Sequence, residues 1–162
     1  MALRVLLGAH LGVAADAVRL FREPCPSCGA LHGRPAVHGG GAHFSISRSG
    51  EVVLIGIADV LVGVDVEQVP RPDVVAELSP SLHPKEAAEP AAEPDHAKSR
   101  AFARAWARRE AYLKGVGIGL SREPAKDYVG TGPRPGSGPE GWLLRDVAVP
   151  EGYEGACALW AS

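Results

Sequence analysis

Val60-Leu-Val-Gly-Val-Asp-Val-Glu67 is an apolar run that closes on two acids, and Trp106-Ala-Arg-Arg-Glu-Ala-Tyr-Leu-Lys114 is a strongly helical run. The first is dense in β-branched residues and reads as a strand. Asp65 and Glu67 are two apart, so on a strand they share one face, while Val64 and Val66 point to the core. In the second run Glu110 and Lys114 are four apart and lie on one helix face. A strand with two carboxylates and a helix with a third suit a hard divalent cation.

Outward from these runs the chain alternates in blocks. Leu3 to Leu11 has helical spacing. Phe21 to Gly41 carries several prolines and glycines and reads as loop. His43-Phe-Ser-Ile-Ser-Arg48 alternates as a half-buried strand, and Val52 to Ala58 is a buried one. Short turns between these and Val60–Glu67 predict an antiparallel meander. Pro72 to Pro94 predicts short helices broken by proline. Asp95 is a plausible N-cap for a helix to about Lys114, with Phe102, Trp106 and Leu113 as its apolar stripe, ended by Gly115 and Gly117. Gly130 to Gly141 reads as a mobile loop or hairpin tip. Trp142–Val149 and Gly155–Trp160 are late strands. Strand group, helix, strand group is an α+β order rather than a βαβ one.

The 162 residues, 46% of them apolar, fit one domain, 1–162. A net charge of −2 gives no reason to expect nucleic acid or an anionic membrane as partner. No apolar run approaches the roughly 20 residues of a membrane span, and the N-terminus is too quickly polar for a secretory signal. Three cysteines argue against a disulfide framework, and a cytoplasmic location is expected.

The acidic pair at Asp65 and Glu67 is the candidate metal site, with a solvated strand end as the plain alternative. Glu110 and Lys114 are the candidate catalytic pair, against an ordinary exposed helix salt bridge. Trp106, one turn before Glu110, makes that face more than solvated surface. Arg48, after Ser47, and the Gly33-Arg34-Pro35 loop are candidate phosphate contacts. Cys25-Pro-Ser-Cys28-Gly-Ala-Leu-His32 has metal-ligand spacing, with Cys157 or His38 as remote fourth ligands. The alternative is a knuckle-like turn without metal.

These pieces together resemble the surfactin-type 4′-phosphopantetheinyl transferases. Val62-Gly-Val-Asp-Val-Glu67 looks like the family's Gly-hydrophobic-Asp-hydrophobic-Glu element. Trp106 to Lys114 looks like its Trp-x-x-Lys-Glu-Ala-x-x-Lys helix. His32-Gly-Arg-Pro35 is similar to the family's Gly-Lys-Pro loop, and His43 to Gly50 to its Phe-Asn-hydrophobic-Ser-His-Ser-Gly strand. Gly152 to Ala158 fits its last strand. Arg48 stands where a histidine is usual. Arg109 stands for the usual lysine, a change expected at a less demanding position.

The resemblance implies a 4′-phosphopantetheinyl transferase fold, with two pseudo-symmetric α+β lobes, about 1–66 and 67–162, the first apparently shortened at its N-terminus. It implies transfer of 4′-phosphopantetheine from coenzyme A to a serine of an acyl or peptidyl carrier protein. Mg²⁺ would be held by Asp65, Glu67 and Glu110, with Glu110 and Lys114 catalytic. Gly33, Arg34, Pro35, Ser47, Arg48 and Lys114 would bind coenzyme A. The alternative is a homologue that binds coenzyme A or a carrier without turnover. Arg104, Arg108 and Arg122 are candidates for meeting an acidic carrier, or are ordinary surface charge.

Overall fold

The computed structural model describes residues 2–90, 93–118 and 124–161. The chain opens with α1 (Ala2–Leu11), then the short strands β1 (Leu20–Arg22) and β2 (Pro35–Val37). A hairpin follows, β3 (His43–Ser49) and β4 (Val52–Ala58), then β5 (Val62–Gln68). Two proline-led helices, α2 (Pro72–Leu78) and α3 (Pro84–Ala88), lead to the long α4 (Asp95–Val116), and β6 (Trp142–Val147) and β7 (Tyr153–Trp160) close the fold. Mixed α+β architecture is therefore observed.

The sheets depart from the expected meander. β3 and β4 pair antiparallel, but β5 is the edge strand of a second sheet, ordered β5-β7-β6. β5 crosses the expected lobe boundary near residue 66 and pairs with β7, with Asp65 opposite Ala156. The 21–41 segment is also less irregular than its prolines suggest, because β1 and β2 pair antiparallel around it.

The free edge of β5 is satisfied by side chains of β3. Ser45 Oγ accepts the Val64 N–H at 3.0 Å, and Ser49 Oγ accepts the Gln68 N–H at 3.1 Å. Between them Ser47 Oγ donates to Asp65 Oδ1 at 2.7 Å. Alternate residues of a strand share a face, so three serines at positions 45, 47 and 49 form one hydroxyl row. An edge N–H that would otherwise be buried unpaired is thereby matched.

α4 lies across the second sheet. Its buried face is rich in alanine, with Ala103, Ala105, Ala107 and Ala111 nearly inaccessible. The closest approach is at Gly63 of β5, where an added Cβ would sit 1.8 Å from the Ala111 carbonyl. Gly115 meets Trp142 in the same way, at 2.5 Å. These two glycines let helix and sheet backbones touch, and the turn between them carries Lys114. Gly115 is therefore inside the helix, and Gly117 alone ends it, at φ 84° with its N–H on the Leu113 carbonyl. At the other end Pro94, not Asp95, occupies the N-cap, and Asp95 stands in the first turn, where its charge favours the helix dipole.

Three apolar clusters fill the interior. Leu7, Val18, Val37, Ala42 and Phe44 join α1 to the first strands. Tyr112, Leu113, Val129, Leu144 and the α4 alanines form the core under the second sheet. Val75, Leu82 and Phe102 hold α2 against α4, with Trp106 stacked on Phe102 at 5.5 Å.

Candidate functional site

Asp65 sits in the middle of β5 with both faces of the strand covered, from Val62 to Val66. It is 2% exposed, so the solvated strand end is excluded. β3 covers one side of it and α4 the other. Lys114 Nζ reaches Asp65 Oδ1 at 2.5 Å and Ser47 Oγ at 3.0 Å. The lysine thus bridges helix and strand instead of pairing back along α4 with Glu110.

The second oxygen, Asp65 Oδ2, is buried and has no partner among the described residues. Burial pushes the Asp65 carboxyl up, against the opposing pull of Lys114. Glu67 is pushed up to about 7, by burial first and then by the charges of Asp65 and Glu110. Glu110 is raised by burial and then by Asp65, with Lys114 and Arg109 opposing. Asp65 raises both Glu67 and Glu110, and Glu110 raises Glu67 in turn, so negative charge is costly at these two glutamates and a cation would relieve it.

Lys114 also lines a hollow of about 470 Å³. Its walls include Gly33, Arg34 and Pro35 on one side and Ser45 and Ile46 on the other. The loop quoted from the sequence and the C-terminal turn of α4 are therefore parts of one cavity. A larger hollow, about 740 Å³, lies along the N-terminal half of α4 beside Arg100, Arg104 and Tyr128. It contains neither Lys114 nor any of the three carboxylates, and several of its polar side chains are already matched. Arg100 and Arg104 both bond Glu154, and Thr131 and Tyr128 both donate to Glu89.

The loop residues are engaged in holding the cavity's shape. Arg34 Nε donates to Glu23 at 2.6 Å, and its NH1 nitrogen donates to the Gly115 carbonyl at 2.8 Å. That second bond ties the loop to the end of α4. Gly33 has no room for a side chain, since a Cβ would stand 2.5 Å from the Glu23 carbonyl. Its N–H is spent on that same carbonyl, so the backbone here does not offer an anion the free N–H groups expected of a glycine loop. Arg48 is placed apart. It is exposed, on the face of β3 opposite Ser47, and its Nε donates to the Gly50 carbonyl at 3.4 Å.

The two arginines before Glu110 correct a local reading. Arg108 is fully buried and grips Asp146 with Nε and NH2, at 2.7 and 2.6 Å. It also donates to the Gly130 and Gly132 carbonyls. Arg104 donates to the Thr131 carbonyl as well as to Glu154. Neither is a free surface charge for an acidic partner, because each is used to pin the 130–132 backbone. That backbone is packed, with Val129, Gly130 and Thr131 buried, where a mobile loop was expected. Arg122 lies outside the described residues.

Arg109 is likewise a demanding position. It is 2% exposed and pairs with the buried Glu86, whose other oxygen accepts the Val129 and Gly130 N–H groups. Sequence reasoning missed Ser45, Ser49, Glu86 and Asp146. The serines had a signal, the alternating Ser-x-Ser-x-Ser of β3. The acids had none, since their partners are at least 23 residues away.

All four of Asp65, Glu67, Glu110 and Lys114 lie within one stretch recognised by a family model. Residues 61–137 match the 4′-phosphopantetheinyl transferase superfamily. The match starts one residue before β5 and runs through α4 to the packed loop, so it spans both elements that build the carboxylate cluster. It supports a transferase of this kind, and the α+β architecture agrees with that superfamily's fold. No curated protein matches the chain. Among the described residues no helix is long and apolar enough to cross a membrane.

Proposed function

We propose that the chain is a surfactin-type enzyme that moves 4′-phosphopantetheine from coenzyme A to a serine of an acyl or peptidyl carrier protein. The observation that carries this reading is the contact of Lys114 with Ser47 and Asp65 at the inner end of the Gly33-Arg34-Pro35 cavity. One cationic side chain there faces both a buried carboxylate and a space large enough for part of a nucleotide.

The donor types suit a divalent cation, although the oxygens of Asp65, Glu67 and Glu110 do not all stand within 4.8 Å of one another, so side-chain rotation would have to close the set. Asp65 Oδ2 is buried without a partner, and Glu67 and Glu110 stand in the same repulsive field. Asp65, Glu67 and Glu110 would hold Mg²⁺, an oxygen-seeking ion that takes one or two carboxylates along with waters and phosphate oxygens. When bound, it would neutralise negative charge on the pyrophosphate of coenzyme A.

The residues themselves do the rest. In the proposed step the serine oxygen bonds to the β-phosphorus, the bond to the leaving 3′,5′-ADP breaks, and the serine proton passes to Glu110, directly or through water. Desolvation keeps Glu110 more basic than an ordinary glutamate, as a proton acceptor requires. Lys114 Nζ, already fixed by two oxygens, supplies positive charge toward the transferring phosphoryl group. Arg34 and Pro35 form the cavity wall that receives the nucleotide, with Gly33 giving the loop its close fold. Arg48, exposed and outside this cavity's lining, is left as a contact for a peripheral phosphate.

The test is labelling of an apo carrier protein by a fluorescent coenzyme A analogue. Label that appears with Mg²⁺ and vanishes with chelator supports the reading; no transfer to acyl or peptidyl carriers under any metal condition overturns it. A second reading, binding without turnover, draws on the Lys114–Asp65 pair, which already gives Asp65 Oδ1 a cationic partner. It predicts thermal stabilisation by coenzyme A with no label transferred.

A further inference from the structure

The β1–β2 loop carries a second constellation that the carboxylate chemistry does not use. Cys25 Sγ, Cys28 Sγ and a His32 ring nitrogen all lie within 4.8 Å of one another. Cys28 Sγ and His32 Nε2 are 3.0 Å apart. Atoms bound at about 2.0–2.3 Å to a tetrahedral ion stand roughly 3.5 Å from each other, so small side-chain rotations would suffice to close the set.

The loop is built to keep that spacing. Cys25 N–H donates to the Ala30 carbonyl and Gly29 N–H to the Cys25 carbonyl, each at 2.8 Å. The backbone N–H groups of Ser27 and Cys28 also point at the buried Cys25 sulfur. Two sulfurs and an imidazole are soft ligands, which select zinc over magnesium or calcium.

We propose that Cys25, Cys28 and His32 bind one zinc ion through two sulfurs and a ring nitrogen, with the fourth position open to water or a solute. The two remote candidates do not complete the set among the described residues. His38 stacks on Phe21 at 4.6 Å, and Cys157 lies on β7 opposite Val64. The ion has a structural consequence for the neighbouring cavity. His32 is joined directly to Gly33 and itself lines the 470 Å³ hollow, so zinc would clamp the wall that carries Arg34.

The experiment uses the full chain purified under reducing conditions. Elemental analysis after equilibration with zinc should find one ion per chain, and cobalt in its place should give a thiolate-to-metal charge-transfer band with tetrahedral d–d intensity. Cys28 and His32 are exposed, so Cys28→Ser and His32→Ala should keep the wild-type circular dichroism. Each should bind zinc at least about tenfold more weakly in competition with a chromophoric chelator, since even outer-shell losses cost that much. Three results would overturn the proposal: no retained zinc, a cobalt spectrum without the thiolate band, or Cys28→Ser binding zinc like the wild type. Because the readouts are metal content and spectra, they stand or fall apart from carrier labelling.

Discussion

Successive residues of α4 bury charge in opposite ways. Arg108 makes four hydrogen bonds, two of them to one carboxylate and two to loop carbonyls. One residue past Arg109, Glu110 stands in the field of Asp65 and acts on Glu67, with Lys114 and Arg109 opposing, and an oxygen of Asp65 is left without a partner. The first region is matched within itself, as a structural anchor should be. The second is incomplete within itself, and that incompleteness points to a ligand. Charge count alone does not separate them; what separates Arg108 from Glu110 is that the arginine's donors are matched, while Arg109 between them is only half matched, with Nε and NH1 buried and unpartnered.

The contrast predicts graded effects. Arg108→Ala should be the most damaging change, because it removes a fully buried guanidinium that serves the partly exposed Asp146 carboxylate and two loop carbonyls. A loss of about 2–3 kcal/mol in unfolding free energy is expected, measured by urea titration. A loss below 1 kcal/mol would break the claim that this arginine is an anchor. Gly63→Ala should follow, with at least the roughly 1–3 kcal/mol of overpacking, since its Cβ would collide with the Ala111 carbonyl. It should also displace Lys114 and reduce transfer. Retained stability and activity would show that the strand and helix can separate cheaply.

Glu67 sharpens the comparison through pH. Its folded value of about 7 lies above the ordinary 4.5, so the folded state holds the proton more tightly. That stability is fully present below about pH 4.5 and is lost as pH rises through about 7. Metal-free protein should therefore be less stable at pH 8 than at pH 5.5 on this group's account, and Glu67→Gln should flatten the slope. Added Mg²⁺ should stabilise the wild type most at the higher pH. An unchanged slope in Glu67→Gln would remove Glu67 from the cluster. The smallest effect belongs to Arg48→Ala, within about 0.5 kcal/mol of wild type, because the side chain is exposed and held by one long hydrogen bond.

Much of the fold was legible locally. α4 announced itself by spacing, and its end at Gly117 follows from the one residue type that easily takes positive φ. The β3–β4 hairpin was legible from alternation and a Ser-Gly turn. The partner of β5 was not, because it is contributed by β7, about 90 residues later, and strand patterns do not name their partners. The same distance hid the roles of Arg108 and Arg109. On a helical sequence they look like solvated charge, and only Asp146 and Glu86 make their burial tolerable. The candidate site was legible in its residue types: Asp65, Glu67, Glu110 and Lys114. The role of Ser47 as a bridge and the buried position of Asp65 required the packing of three elements.

The central claim is that the carboxylate cluster with Lys114, and not the anchored Arg108, carries the chemistry. The most direct measurement is the initial rate of Mg²⁺-dependent label transfer to an apo carrier by wild type, Glu110→Ala and Lys114→Ala, each checked for folding by circular dichroism. Removing a positioned acid–base group costs on the order of 10²–10⁴-fold, so both variants should fall by at least about 100-fold while staying folded. Folded Glu110→Ala protein that transfers label at the wild-type rate would contradict the account.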